Sequence, residues 1–320
     1  MKKVIIDTDP GIDDAAAIFL ALASPELSVE ALTTIYGNGP VESCTDNALR
    51  LLHAAHRRDI PVYPGVGKPL LREPTSGWAS AVHGADALGD IGFPLPPDYN
   101  ELRNRRHAVP EIIDRIMAAP GEITFLALGR MTNIALALSI EPRLAQAVAE
   151  VIVMGGAVAA PGNVSPVATA NLYEDPEAAA ILYASGAPLV QVGMDVCDQV
   201  NFSLEQVEQV GRADTPTTRL LAAATPYLQA SYRSRGLLNE QQGIRYNDVP
   251  SVAYAIDPGL FGQEDLYVTI ETQSSTSRGQ TLADRRRSTG QAPNARVCLE
   301  VDAPRLTALF TDRVVNYSGG

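Results

Sequence analysis

The chain has 320 residues, 46% of them hydrophobic, enough to bury a large core, and its 37 acidic against 25 basic residues leave a formal net charge of −12. That balance argues against nonspecific attachment to nucleic acid or to acidic membranes and points to a small-molecule partner. Met1-Lys2-Lys3 is followed by too short an apolar run for a signal peptide, and no run approaches the roughly 20 residues of a membrane span. Cys44, Cys197 and Cys298 are too scattered for a disulfide framework or a thiolate zinc site. The expectation is a cytoplasmic protein.

The apolar run 4–6 reads as a buried strand, Pro10-Gly11 as a sharp turn, and the alanine-rich stretch 15–23 as a helix whose first turn holds Asp13 and Asp14. Asp7, Asp9, Asp13 and Asp14 thus crowd one strand end. A helix N-terminus tolerates negative charge, yet clustered carboxylates still have to take up protons or share a cation. Oxygen-only ligands favour Ca²⁺ or Mg²⁺ over zinc. The competing reading makes Asp13 and Asp14 ordinary helix-start acids and leaves Asp7 and Asp9 solvated.

Further along, residues 27–36 read as a strand, 41–57 as a helix, 123–128 as a strand, 131–139 as a helix, 151–154 as a strand, 176–184 as a helix and 188–192 as a strand. Alternating short strands and helices indicate an α/β fold with a parallel sheet covered on both faces, where ligands bind beyond the carboxyl ends of the strands. Asp9, Asn38, Gly129, Gly155 and Asp195 fall at those ends. With no internal repeat and no linker, residues 1–320 read as one domain. The stretch 61–106, which carries the only tryptophan, Trp78, is a long excursion that either covers a site or forms a surface loop.

After Gly155-Gly156 a loop presents Asn163, Ser165, Thr169 and Asn171, suited to hydrogen-bonding a polyhydroxy ligand such as a sugar, although asparagine also favours turns for local reasons. Tyr246-Asn247-Asp248 precedes an apolar helix reaching Ile256, and Asp248 alone would read as its N-cap.

The segment Asp7-Thr8-Asp9-Pro10-Gly11-Ile12-Asp13-Asp14-Ala15 resembles the amino-terminal signature of the inosine-uridine preferring nucleoside hydrolases. The resemblance continues through Thr33-Thr34-Ile35-Tyr36-Gly37-Asn38, His83-Gly84, Arg106-His107-Ala108-Val109 and Leu128-Gly129-Arg130-Met131-Thr132-Asn133. It extends through Met154-Gly155-Gly156, Pro161-Gly162-Asn163-Val164-Ser165-Pro166, Asp175-Pro176-Glu177-Ala178-Ala179, Val192-Gly193-Met194-Asp195 and Arg278-Gly279-Gln280-Thr281, and so covers nearly the whole chain.

The resemblance implies an open, mostly parallel twisted sheet with a Rossmann-like core, a calcium-dependent N-ribohydrolase activity on a riboside, and a homodimer or homotetramer. It further implies that Asp9, Asp14, Asp248 and the main-chain carbonyl of Leu128 ligate Ca²⁺, with Asp9 also serving as the base for the attacking water. Asp13 and Asn171 would hold the ribose hydroxyls, Asn38 and Met154 would line the sugar pocket, and Asn163 would approach the 5′ end.

Two positions depart from the family pattern. Thr169 stands where a glutamate usually helps hold the ribose 5′-hydroxyl, which leaves space and removes a negative charge. Asn247 stands where many members have a histidine that protonates the departing base, and an amide cannot act as a general acid. Tyr232, Tyr246 and His83 are the alternative proton donors. Two rival functions carry over: a haloacid dehalogenase-type phosphatase, which also begins strand-Asp-x-Asp, and a riboside sensor that kept the calcium site and lost turnover.

Overall fold

A computed structural model describes residues 1–74 and 80–319. Six parallel strands, β1 (Lys2–Thr8), β2 (Leu27–Thr34), β3 (Val62–Pro64), β4 (Ile123–Ala127), β5 (Glu150–Met154) and β6 (Leu189–Val192), form one sheet in the order β3-β2-β1-β4-β5-β6. The strand Ala295–Val301 extends it in parallel beside β6, and Phe261–Leu266 closes that edge antiparallel. This is the open, mostly parallel α/β sheet expected from the sequence. The reading of residues 1–192 located each of the first six strands except β3, which lies inside the 61–106 excursion. Both later strands were missed.

The strands are apolar on both sides because both sides are covered. Val4 and Ile6 point into one core with Ile18 of helix α1 (Ile12–Leu22), Val252 and Phe310, whereas Ile5 points into the other with Ile112, Ile134 and Leu182. That period-two alternation between two buried faces is what a parallel sheet sandwiched by helices requires. The excursion holds β3 and two short helices, Ser80–His83 and Tyr99–Leu102, while Trp78 lies outside the described residues. Among the described residues, no helix is long and apolar enough to cross a membrane.

From β1 the chain builds outward to β2 and β3, then returns across β1 to start β4 and build the other way. The switch point is therefore the gap between the carboxyl ends of β1 and β4, where side chains of neighbouring loops part and leave a crevice. Asp9 follows β1 and Leu128-Gly129 follow β4. The strand order alone brings two of the sequence's candidate positions to one crevice.

Candidate active site

The residues that the resemblance assigns to metal and sugar, together with His83, Thr169, Tyr232 and Asn247, border a single cavity at this switch point, whereas Tyr246 does not. Helix α1 starts there, with Gly11 at its cap, and the Asp14 carboxylate bends back to accept the Gly11 N–H at 2.9 Å and the Thr8 hydroxyl. Asn38, beyond β2, ties two acids together: its backbone N–H donates to Asp9 Oδ2 at 2.8 Å and its side-chain amide to Asp14 Oδ2 at 3.1 Å. Asn38 therefore fixes the carboxylates as well as bordering the cavity. Asp248 occupies the cap position of the helix Val249–Ile256, yet its side chain makes no capping bond, so the ordinary local role does not account for it.

Asp13, Asp14 and Asp248 come together from two ends of the chain, with ligand oxygens all within 4.8 Å of one another. All three are buried, as is Asp9. Burial, then repulsion from Asp14, pushes the Asp13 carboxyl up to about 7. Burial, then repulsion from Asp13, Asp14 and Asp9, raises Asp248 well above the ordinary carboxylate range. Burial also raises Asp9, with Arg130 pulling the other way. Asp13 Oδ1 is buried without a hydrogen-bond partner among the described residues. A hard cation fits such a set: it supplies the missing counter-charge and accepts oxygen donors in a flexible shell.

The other wall is built from β4, β5 and the loop beyond β5. The Asn171 amide donates to the Leu128 carbonyl and, at 3.0 Å, to the Met154 carbonyl, so it staples the ends of two strands. Asn163 Oδ1 accepts the Ala170 N–H at 2.9 Å, and Thr169 Oγ1 accepts the Gly156 N–H at 2.9 Å. Both residues border the cavity while shaping the loop that forms it. Asp195, at the end of β6, secures the same loop by accepting the N–H groups of Val158, Ala159 and Ala160 at 2.7 to 2.9 Å. Asp195→Ala should orphan three donors, lower stability by about 2 to 4 kcal/mol, and raise KM for a riboside as the wall loosens. Denaturant unfolding together with steady-state kinetics measures both effects, and an unchanged KM would contradict this role.

Residues 4–308 match the family described as inosine-uridine preferring nucleoside hydrolase. The chain belongs to this family. It is 37% identical to the "Probable uridine nucleosidase 2" of Arabidopsis thaliana over 98% of each chain. Among solved structures it resembles a plant nucleoside hydrolase at 38% identity, covering 98% of this chain and 99% of the other, with a TM-score of 0.92. It also resembles a purine-preferring ribonucleoside hydrolase from Gardnerella vaginalis at 30% identity, 99% coverage of each chain and the same TM-score of 0.92. The family membership removes the phosphatase alternative. The activity is that of a nucleoside hydrolase, cleavage of a ribonucleoside's N-glycosidic bond.

Of the three proton-donor candidates, Tyr232 and His83 border the cavity. Tyr246 is excluded by position: its hydroxyl bonds Thr225 at 2.6 Å and its ring packs on Phe202, away from the cavity. Tyr232 Oη accepts the Asn247 side-chain N–H at 3.1 Å, which leaves the tyrosine's own proton without an acceptor among the described residues. Asn247 Oδ1 is then a buried acceptor with no partner among the described residues.

His83 Nδ1 accepts the Ile12 N–H at the start of α1 at 3.2 Å, so the ring proton sits on Nε2. Burial first, then Arg130 and Arg235, lowers the His83 pKa to about 3, and the imidazole is neutral at physiological pH. The unfolded chain, with a histidine near 6.5, binds more protons than the folded one between these values, so this group makes stability fall as pH drops below about 6.5. Its slope approaches about 1.4 kcal/mol per pH unit. His83→Gln, which can still accept the Ile12 N–H, should flatten the pH dependence of denaturant unfolding by up to that amount. An unaltered slope would show that His83 is not buried neutral.

One buried residue of this cavity, Arg130, was not among the candidates drawn from the sequence. Arg130 begins the turn after β4, is 3% exposed, and pairs through Nη1 with Asp9 Oδ2 while reaching Asn171 Oδ1 at 3.4 Å. Gly37 permits this pairing, because a Cβ there would overlap both the Asp9 carboxylate and the guanidinium. The available signal was an arginine at a strand's carboxyl end inside an otherwise apolar turn.

Proposed function

We propose that this nucleoside hydrolase is calcium-dependent and acts on a riboside whose base departs without full proton delivery. The observation that carries the reading is the convergence of Asp13, Asp14 and Asp248, with Asp9 and Asn171 beside them, at the switch point of the sheet. Asp9, Asp14, Asp248 and the Leu128 carbonyl would hold the ion, and calcium is favoured because the donors are all oxygen and come from several flexible segments. When bound, Ca²⁺ would supply Lewis-acid polarisation of a water and a hold on the sugar diol.

The protein's own groups do the rest. Asp9 takes the proton of the attacking water. Asp13, whose Oδ1 has no hydrogen-bond partner among the described residues, and Asn171, through Oδ1, accept hydrogen bonds from the 2′- and 3′-hydroxyls. Met154 and Asn38 border the sugar, while Asn163 and Thr169 border its 5′ end without the charge a glutamate would place there. As the glycosidic bond breaks, the sugar gains oxocarbenium character, and the surrounding carboxylates stabilise that positive charge.

At the base end, Asn247 Oδ1 can accept from a base N–H, Tyr232 can donate its hydroxyl, and neutral His83 can donate Nε2–H. These hydrogen bonds stabilise a departing anion less than outright protonation does. The reading takes residues 1–320 as one domain, supported by a sheet that draws strands from Lys2 to Val301, and retains a cytoplasmic homodimer or homotetramer.

A panel of uridine, inosine and nitrophenyl riboside with Ca²⁺ tests the proposal: uracil and ribose from uridine, and nitrophenolate and ribose from the nitrophenyl compound, should appear ahead of the products of inosine. Saturable riboside binding with no product from any of the three would overturn the proposal.

A further inference from the structure

Two of the groups assigned to the metal are already engaged by protein donors. Asp9 Oδ2 is held by Arg130 and by the Asn38 N–H, and the Leu128 carbonyl accepts the Asn171 amide. Arg130 and Asn171 touch one another at 3.4 Å, so the two engagements are linked. The three acids whose ligand oxygens approach one another are Asp13, Asp14 and Asp248, and Asp9 is not among them.

Resting on the calcium reading above, we propose that Arg130 is an internal counter-cation for the site. It neutralises Asp9 in the metal-free protein, has to release that carboxylate for the metal to enter, and so sets the metal affinity. The guanidinium has the chemistry for this. Burial opposes its charge, but the Asp9 carboxylate beside it outweighs that effect, and a guanidinium stays protonated. Its grip is also incomplete: the contacts to Asp9 and Asn171 both run through Nη1, while Nε is buried without an acceptor among the described residues. A buried pair with a donor left unsatisfied is a poor contributor to stability, which makes its release feasible.

The expected size follows from population arithmetic. A ligand that binds only the released form has its affinity reduced by the fraction of molecules in that form. If that form is a minor state of roughly 1 to 10%, the apparent affinity is about 10- to 100-fold below the intrinsic one.

The test strips the full-length protein with a chelator and titrates it with CaCl₂ by calorimetry, comparing wild type, Arg130→Met and Arg130→Lys. The methionine variant fills similar space without charge and should bind Ca²⁺ about tenfold or more tightly than wild type. Its metal-free form should melt below metal-free wild type, because four acids are then left without an internal cation. Lysine, a point charge able to pair with Asp9, should give an affinity between the two. Should Arg130→Met fold only with metal, chelator competition starting from the loaded form reads the same constant. Equal or weaker Ca²⁺ binding by Arg130→Met would overturn the role of Arg130 and leave the calcium reading standing. Absence of Ca²⁺ binding in every form would overturn both.

Discussion

Asp9→Asn should lower kcat/KM for every riboside by about 10²- to 10⁴-fold, the usual worth of a positioned general base. Asparagine is the informative replacement because it keeps the shape of the side chain and can still accept from Asn38 and Arg130. Asp9→Ala would instead leave the Arg130 guanidinium buried and unpaired, and the resulting loss of about 3 to 5 kcal/mol of stability would obscure the kinetics. Measured on a nitrophenyl riboside, whose leaving group needs no proton, the loss should persist, because the missing function acts on the water and not on the base. Retention of wild-type rates by Asp9→Asn would place the base elsewhere in the acidic cluster.

Asn247→His is expected to raise inosine hydrolysis by about 10²-fold and to leave nitrophenyl riboside hydrolysis nearly unchanged, since general acid catalysis contributes about 10²- to 10⁴-fold where a poor leaving group must be protonated. Asn247 faces the cavity, and its partner Tyr232 stays able to hydrogen-bond an imidazole. The lower end of the range applies because the new imidazole would lie near Asp13 and Asp248 in a site shaped around an amide. The measurement is kcat/KM for both substrates across a pH series, in which the variant should acquire a basic limb on inosine alone. If wild type already cleaves inosine as fast as nitrophenyl riboside and the variant gains nothing, Tyr232 or His83 already delivers the proton.

What the sequence made legible was mostly local. The apolar run before Asp7, the Pro10-Gly11 turn and the alanines after Asp14 state a strand, a turn and a helix in consecutive residues, so β1, α1 and the two helix-start acids could be read directly. Alternation of short apolar strands with helices was enough for the parallel sheet. The strand Phe261–Leu266 was not legible because it lies at the sheet edge with Gln263, Glu264 and Asp265 exposed, which reads as a loop. Asp248 could be joined to Asp14 only through the resemblance. The two are brought together by the packing of the helix Val249–Ile256 against α1, a contact no local pattern encodes.

Arg130 escaped for the same reason in a sharper form. An arginine in a turn is normally solvated, and its burial depends on Asp9 from β1 and on the missing side chain of Gly37 after β2, three segments that only the sheet order unites. Thr169 was legible as a departure from the family pattern, but its bond to the Gly156 N–H was not, because that bond depends on how the loop after β5 folds back.

Under the proposed function, the acidic cluster at the switch point would hold the Ca²⁺ that ribosidic bond cleavage requires. The most direct test is ribose release from uridine by chelator-stripped protein, before and after Ca²⁺ is returned. The account predicts turnover reduced to background by stripping and restored by Ca²⁺ in proportion to the ion bound. Full hydrolysis by the metal-free protein would contradict it.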